Sequence, residues 1–269
     1  MARLDRIREL LDRLHPSGLL YTTYEHRLTA ELDRKQLPQH VAVLADGNRR
    51  WARAKAPGKP LVAGYRAGAD KLKEFVDWCD ELGIRHVTLW VLSTDNFNRN
   101  GDEEIGPLLE VIETMVDDLA GTRRFQVHPV GALDLLPEVT AKRLRAAAAE
   151  TADITGMQVN IAVSYGGRHE LRDAFRSLLA EHAANGTSIE ELAETLDIDH
   201  IAQHLYTQGQ PDPDLIIRTS GEQRLSGFLM WQSAHSEFYF CEALWPDFRK
   251  VDFIRALRAY GQRERRFGA

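Results

Sequence analysis

From Gln39 onward, short apolar runs alternate with longer segments whose apolar residues recur every three or four positions. This alternation constrains the fold more than any other feature of the chain. A short apolar run bounded by turn residues reads as a buried strand; a three-to-four repeat reads as a helix with one face on a core. Strands are expected at residues 41–45, 86–92, 125–130, 157–163, 214–217 and 228–231, and helices at 64–82, 105–119, 137–150, 168–182 and 251–266. The helix at 64–82 lines Leu72, Phe75, Val76, Cys79 and Leu82 on one side and has Gly83 as its stop. Strands that alternate with helices in this way build a parallel sheet covered on both faces. The expected fold is therefore α/β: one domain with a central, mostly parallel six-stranded sheet flanked by helices, over residues 38–269.

Residues 1–37 precede this rhythm and read as a helical arm. Leu4, Ile7, Leu10 (or Leu11) and Leu14 fall at helical spacing, Pro16-Ser17-Gly18 breaks the run, and a second helix at 19–35 carries Tyr21, Tyr24 and Leu28 on one face. No basic face is sustained along the arm, so packing on the body or on a partner chain is favoured over contact with a membrane surface.

Composition excludes several classes. The chain has 34 Lys and Arg against 40 Asp and Glu, a formal charge of −6, so nucleic acid is not an expected partner. Any anion must be held by local arginine clusters. Cys79 and Cys241 form no metal-ligand spacing or disulfide framework and are expected as buried free thiols. No window approaches a membrane span of about 18 apolar residues, and the first residues carry no apolar signal core. The expectation is a cytoplasmic protein with at most transient contact with a membrane surface. No Gly-x-x-x-x-Gly-Lys-Ser/Thr loop is present, which argues against P-loop nucleotide hydrolysis.

The chemistry gathers where expected strands end, which is where α/β proteins bind ligands. The run 41–45 stops in Asp46-Gly47-Asn48-Arg49-Arg50-Trp51, with Arg53 one helical turn beyond Arg50. Such a segment can hold a diphosphate beside a magnesium ion; equally, Asp46 can be the N-cap of a basic surface helix. Residues 215–217 lead into Arg218, Glu222, Arg224 and Ser226. Guanidinium groups match phosphate oxygens as a bidentate fork, although Glu222 can instead neutralise one of the arginines. The polar run from Ser93 to Arg99 follows a third strand, and Tyr165-Gly166-Gly167-Arg168 a fourth. Glu237 lies among aromatics, where an acid is paired, at a metal or at a subunit contact. Two arginine-bearing loops suggest a site that holds two phosphorylated substrates together.

In this order the loops resemble those of the cis-prenyltransferase family, the Z-type isoprenyl diphosphate synthases. The resemblance runs from about Pro38 to Gly268 and rests on Asp46-Gly-Asn-Arg-Arg-Trp-Ala52, Ser93-Thr-Asp-Asn-Phe-Asn-Arg99, Tyr165-Gly-Gly-Arg168, Ile217-Arg-Thr-Ser-Gly-Glu222 and Trp245-Pro-Asp-Phe248. Residues 206–214 and 224–228 look most like the actinobacterial short-chain branch, the Z,E-farnesyl diphosphate synthase type. Asp117-Asp118 is followed by Gly121, so the aspartate-rich motif of the all-helical trans-prenyl synthases is missing.

The resemblance implies an undecaprenyl-diphosphate-synthase-like fold, a homodimer, an apolar tunnel, and a Mg²⁺-dependent condensation of isopentenyl diphosphate with an allylic diphosphate. It assigns catalysis to Asp46, Ser93, Asn96 and Asn98, and the metal to Asp46 and Glu237, with Glu237 reaching it within the chain or across the dimer interface. Gly47, Asn48, Arg50 and Arg53 would surround the allylic diphosphate, and Arg49, Trp51, Tyr65 and Thr94 would be further substrate-binding residues. Phe97 and Arg99 would belong, with Ser93, Asn96 and Asn98, to the loop that positions the reacting carbons and assists proton loss. Arg218, Arg224 and Ser226 would hold isopentenyl diphosphate. The tunnel would be lined by Val91, Leu92, Ile112 and Met115. Two departures stand out. The family often carries Arg three residues before a Gly-His pair; here Leu61 precedes Gly64-Tyr65, leaving Lys59 or Tyr65 to replace the lost contact. Trp90-Val91-Leu92 also places bulk where long-chain synthases tend to be smaller, which points to a short C15–C20 product. The alternatives are a long-chain synthase for a carrier lipid and a non-catalytic partner subunit; intact Asp46, Asn98, Arg218, Arg224 and Glu237 argue against the latter.

Overall fold

The structure is a computed structural model that describes residues 23–25, 27–99 and 102–262, with side chains for all of these except 97–99, 102 and 103. It divides into two units, residues 38–247 and residues 1–37 with 248–269.

The larger unit holds six strands: β1 (His40–Leu44), β2 (His86–Trp90), β3 (Phe125–Val130), β4 (Met157–Ala162), β5 (Leu215–Arg218) and β6 (Glu237–Phe240). Their order is β3-β4-β2-β1-β5-β6, and every neighbouring pair is parallel. The unbroken apolar runs follow from this arrangement. A parallel sheet is covered on both faces, so alternation with polar residues is lost, and Val41, Ala42 and Val43 have no exposed surface. Pro129 is tolerated in β3 because that strand is an edge.

The helices of this unit are α1 (Asn48–Lys55), α2 (Val62–Glu81), α3 (Thr94–Arg99), α4 (Asp102–Gly121), α5 (Glu138–Glu150), α6 (Gly167–Ala184), α7 (Ile189–Thr195) and α8 (Ile198–Ala202). The short pair α7–α8 was not anticipated from the sequence. Its signal was the Ser188 cap, whose side chain accepts from the Glu191 amide at 3.1 Å. The chain leaves β1 toward β2 on one side and later returns to β5 on the other. The sheet order therefore reverses between β1 and β5, and the crevice beyond such a reversal is the natural ligand site.

One expected strand is corrected. Residues 228–231 are not extended: Ser226, Gly227 and Leu229 have φ of 51°, 86° and 45°, so the chain coils tightly and buries Phe228 and Leu229 completely. The sixth strand is Glu237–Phe240, whose aromatic-rich sequence suits a pleated surface. Cys79 is buried, but Cys241 is only partly covered, against the expectation that both thiols are buried.

The smaller unit joins the described part of the arm to α9 (Lys250–Gly261), a helix expected within the domain at 38–269. Leu28 and Leu32 pack on Val251 and Ile254, and the Arg255 guanidinium lies 5.7 Å from the Tyr24 ring centre. The expected helix at 19–35 ends earlier, with a separate 3-10 turn at Arg34–Gln36. The stripe of Leu4, Ile7, Leu10 and Leu14, together with Tyr21 and residues 263–266, lies outside the described residues.

Candidate active site

Asp46 follows β1 by two residues, and its backbone is pinned from both sides. The Thr219 hydroxyl accepts from the Asp46 amide at 3.1 Å and donates to the Asp46 carbonyl at 2.8 Å, while the Trp245 amide donates to the same carbonyl at 3.0 Å. Gly47, with φ of 114°, caps α1, and a Cβ there would lie 2.9 Å from Leu244 Cδ2, so glycine is required. No side chain caps α1. The N-cap reading of Asp46 is therefore removed, and the carboxylate turns elsewhere. It stands 3.1 Å from Arg218 Nη2 and 3.6 Å from Arg50 Nη2.

Arg218 ends β5 in register with Leu44. It is 4% exposed and fixed by three partners: Asp46, the Ser226 hydroxyl at 2.9 Å and the Arg224 carbonyl. Its Nε, Ser220 Oγ and Asn48 Oδ1 are buried without a hydrogen-bond partner among the described residues. Unmatched buried polar atoms are uncommon in a finished core, and here they cluster in two facing loops, as expected where a polar ligand completes the set. Arg224 is ion-paired with Glu222. Arg50 donates to the Ser220 carbonyl at 3.3 Å, tying α1 to the second loop.

These loops open onto a cavity of about 900 Å³. One end is polar, with Asp46, Gly47, Asn48, Arg49, Arg50, Arg53, Arg218, Glu222, Arg224 and Ser226; Ser93, Asp95 and Asn96 form a second lip. The rest of the lining is apolar, with Leu72, Val91, Leu92, Leu108, Val111, Ile112 and Met115, and with Trp90 at the level of Arg218.

The cavity brings together most of the residues expected there, but not all. Trp51 is outside the lining and instead donates from Nε1 to Asp247 at 2.8 Å, a bond that braces α1. Thr94 is buried outside the lining, its amide bonded to the Tyr165 carbonyl at 3.0 Å. The side chains of Phe97, Asn98 and Arg99 lie outside the described residues. Glu237 begins β6 opposite Leu215, three residues before the level of Arg218. At about 3.3 Å per residue it stands roughly 10 Å down the sheet, so within one chain it does not share a metal with Asp46. Lys59 is exposed and outside the lining, whereas Tyr65 is buried in it.

Glu104 is a site neighbour that the sequence reading missed. The Tyr65 hydroxyl donates to it, and Arg49 Nε lies 3.2 Å from the same oxygen. Burial, and then the Glu104 bond, push the Tyr65 phenol well above its ordinary range, so it remains a donor. Leu108, Ile112 and Met115 continue the same side of α4 at helical spacing, which was the available signal.

Asp46 fits a magnesium ion on the chemistry of its surroundings. Its side chain is 38% exposed beside two arginines, and no group of three or more His, Cys, Asp or Glu forms a protein cage among the described residues. Magnesium usually takes one or two carboxylates and fills its shell with phosphate oxygens and water.

The switch-point cavity, cationic at one end and apolar along its length, defines an α/β enzyme that handles chains with anionic heads. The family described as "Putative undecaprenyl diphosphate synthase" matches residues 44–268, and the chain belongs to it; it is a prenyl-transferring enzyme. A (2Z,6E)-farnesyl diphosphate synthase of Thermobifida fusca is 60% identical over 93% of this chain and 97% of its own length. A short-chain Z-isoprenyl diphosphate synthase of Mycobacterium bovis is 51% identical over 93% and 95%. The crystal structure of lavandulyl diphosphate synthase from Lavandula x intermedia, in complex with dimethylallyl diphosphate, superposes with a TM-score of 0.80 at 34% identity, covering 87% of this chain and 100% of that one.

Proposed function

We propose that the chain condenses isopentenyl diphosphate with an allylic diphosphate to give a short-chain Z-prenyl diphosphate of the C15–C20 class and free diphosphate. The observation that carries this reading is the single cavity that joins two arginine-bearing loops to an apolar wall. The C1–O bond of the allylic substrate breaks with its electron pair leaving on diphosphate. The isopentenyl double bond supplies the pair for the new C–C bond, and a proton is then lost to restore a double bond.

Gly47, Asn48, Arg49, Arg50 and Arg53 receive the allylic diphosphate, and Arg218, Arg224 and Ser226 the other head. Arg218 is already clamped before substrate arrives, so it stabilises developing charge with little reorganisation. Ser93 and Asn96 face the reacting carbons from the opposite lip and assist loss of the proton; the resemblance gives Asn98 the same duty. Magnesium, held by Asp46, would supply charge neutralisation to the departing diphosphate. Holding both substrates in line can contribute on the order of 7–11 kcal/mol to barrier reduction.

The working form is a homodimer. β6 is an edge strand with partly exposed aromatics, Phe240 at 39%, and an uncovered edge favours pairing or burial. A second copy would also be needed for Glu237 to approach the metal. No helix among the described residues is long and apolar enough to cross a membrane, which supports a cytoplasmic enzyme that touches a membrane surface only to hand over its product.

The deciding assay supplies the purified chain with magnesium, labelled isopentenyl diphosphate and a C10 or C15 allylic primer. Label in a C15–C20 product carrying one new Z bond is expected. Products near C50 would assign the long-chain reading, and no product from the single chain would assign the partner-subunit reading.

A further inference from the structure

The reacting end of the cavity has an aromatic floor that the loop residues do not explain. Trp90 is in register with Leu44, which is in register with Arg218. Register partners in a parallel sheet project from the same face, and strands lie about 4.8 Å apart, so Trp90 rises beside the Arg218 seat at a spacing of roughly 10 Å. One face of its indole is covered: it stacks on Phe228 with centroids 5.1 Å and planes 3° apart. Tyr165 meets the edges of both rings, at 6.3 Å and 85° to Trp90 and 5.8 Å and 84° to Phe228. The ring is nevertheless partly exposed and borders the cavity, so a substrate can reach the part of it that Phe228 does not cover. Its Nε1 is buried with no hydrogen-bond partner among the described residues, so a hydrogen bond does not account for an indole at this place.

The slab is held from behind. The Tyr165 hydroxyl donates to Glu170 at 2.5 Å and accepts from the Leu229 amide at 3.1 Å; Glu170 also accepts from the Tyr206 amide and from Gln232 Nε2, each at 3.0 Å.

We propose that Trp90 is a catalytic residue whose open π face stabilises the positive charge that forms on the allylic carbons as the C1–O bond breaks. This rests on the prenyl-transfer reading above. The electron pair of the broken bond leaves with the diphosphate, and the second substrate supplies the pair for the new bond. Trp90 exchanges no atom or electron; it only lowers the energy of the charge between those events. An aromatic face attracts a cation through its quadrupole, most strongly where water is excluded.

The test places mono-, di- and trifluorotryptophan specifically at position 90. Fluorine weakens the π face while leaving the shape nearly unchanged. The single-turnover rate is expected to fall stepwise with each fluorine, to about 30-fold overall, with KM for both diphosphates and product length unchanged. Trp90→Phe, which keeps a ring, should retain more rate than Trp90→Leu. A rate that ignores fluorine number, or a change confined to KM or product length, would reduce Trp90 to a wall. A wild-type chain that turns over beside a flat fluorine series overturns the role of Trp90 alone; a wild-type chain that forms no product overturns the prenyl-transfer reading on which it rests.

Discussion

At the residue scale, the site is organised by a buried cation rather than by its acids. Arg218 is almost fully enclosed and is matched by one carboxylate, one hydroxyl and one carbonyl. Enclosing a guanidinium is costly unless its donors are met, so the loop 224–226 and Asp46 take up the positions that meet Nη1 and Nη2. Asp46 has two duties as a result: it fixes Arg218 and it presents charge to the cavity. Asp46→Asn separates them, because the amide can still accept from Arg218 but carries no charge. It should lower kcat by about 10²–10³-fold, the usual cost of losing one preorganised charge-stabilising group, with circular dichroism and Tm close to wild type. A variant of unaltered turnover would remove Asp46 from the chemistry. Tyr65 tests the other head. Tyr65→Phe deletes a buried donor, worth about 0.5–1.5 kcal/mol, and should raise KM for the allylic substrate roughly two- to tenfold without moving KM for isopentenyl diphosphate. Lys59→Ala, on an exposed side chain outside the cavity, should move neither; steady-state kinetics with each substrate varied in turn decides between them.

At the element scale, α1 and α2 approach closely enough to fix the cavity rim. A Cβ on Gly64 would lie 2.2 Å from the Asn48 carbonyl oxygen, and one on Gly68 would lie 2.4 Å from Asn48 Oδ1. Across the cavity, Val91 and Leu92 leave β2 and face the α4 stripe of Leu108, Ile112 and Met115. Each further C5 unit gains up to about 4 kcal/mol by burial, at roughly 0.8 kcal/mol per carbon, so growth continues until a wall stops it. Val91→Ala should therefore lengthen the product by at least one C5 unit, read by chromatography of the labelled lipids; an unaltered product distribution would place the stop elsewhere. The strand-end loops were legible in the sequence because apolar runs stop abruptly in a charged or polar residue at Asp46, Ser93 and Arg218. The α4 stripe was legible because its period is local. The contribution of Thr219 was not, since it exists only once β5 lies beside β1, and strand order is not written in local pattern. Glu104 was hidden for the same reason, its partners coming from two other helices. The expected strand at 228–231 failed because apolar content was read as extension, whereas positive φ at Ser226, Gly227 and Leu229 folds that segment under the floor.

At the scale of the whole sheet, a buried polar chain crosses the otherwise apolar core. His40 Nδ1 lies 2.7 Å from the Pro211 carbonyl and Nε2 lies 2.8 Å from Thr88 Oγ1, while Asn160 Nδ2 donates to Thr88 Oγ1 at 3.0 Å and to Gln210 at 2.5 Å. β1, β2, β4 and the segment entering β5 are thereby linked through one imidazole. Burial, only partly offset by the Pro211 bond, pushes His40 down to about 4, with His86 lowering it and Asp214 raising it further on. Above the ordinary histidine value of about 6.5 the ring is neutral whether folded or unfolded, and this stability is fully present. As pH falls from there toward about 4, the unfolded chain takes up a proton that the folded chain refuses, and stability is lost. Over that window the loss is about 3 kcal/mol. His86 and His128, also lowered mainly by burial, act in the same direction; Glu170, raised by burial, acts against it as its own carboxyl protonates. The His40 share is isolated by comparison with His40→Gln, which can bond but cannot titrate. Denaturant unfolding of both proteins from pH 7 to pH 4 should show the wild-type advantage shrinking by about 3 kcal/mol, whatever its size at pH 7. Two curves that run parallel through that range would mean that the imidazole at the centre of the sheet does not govern acid stability.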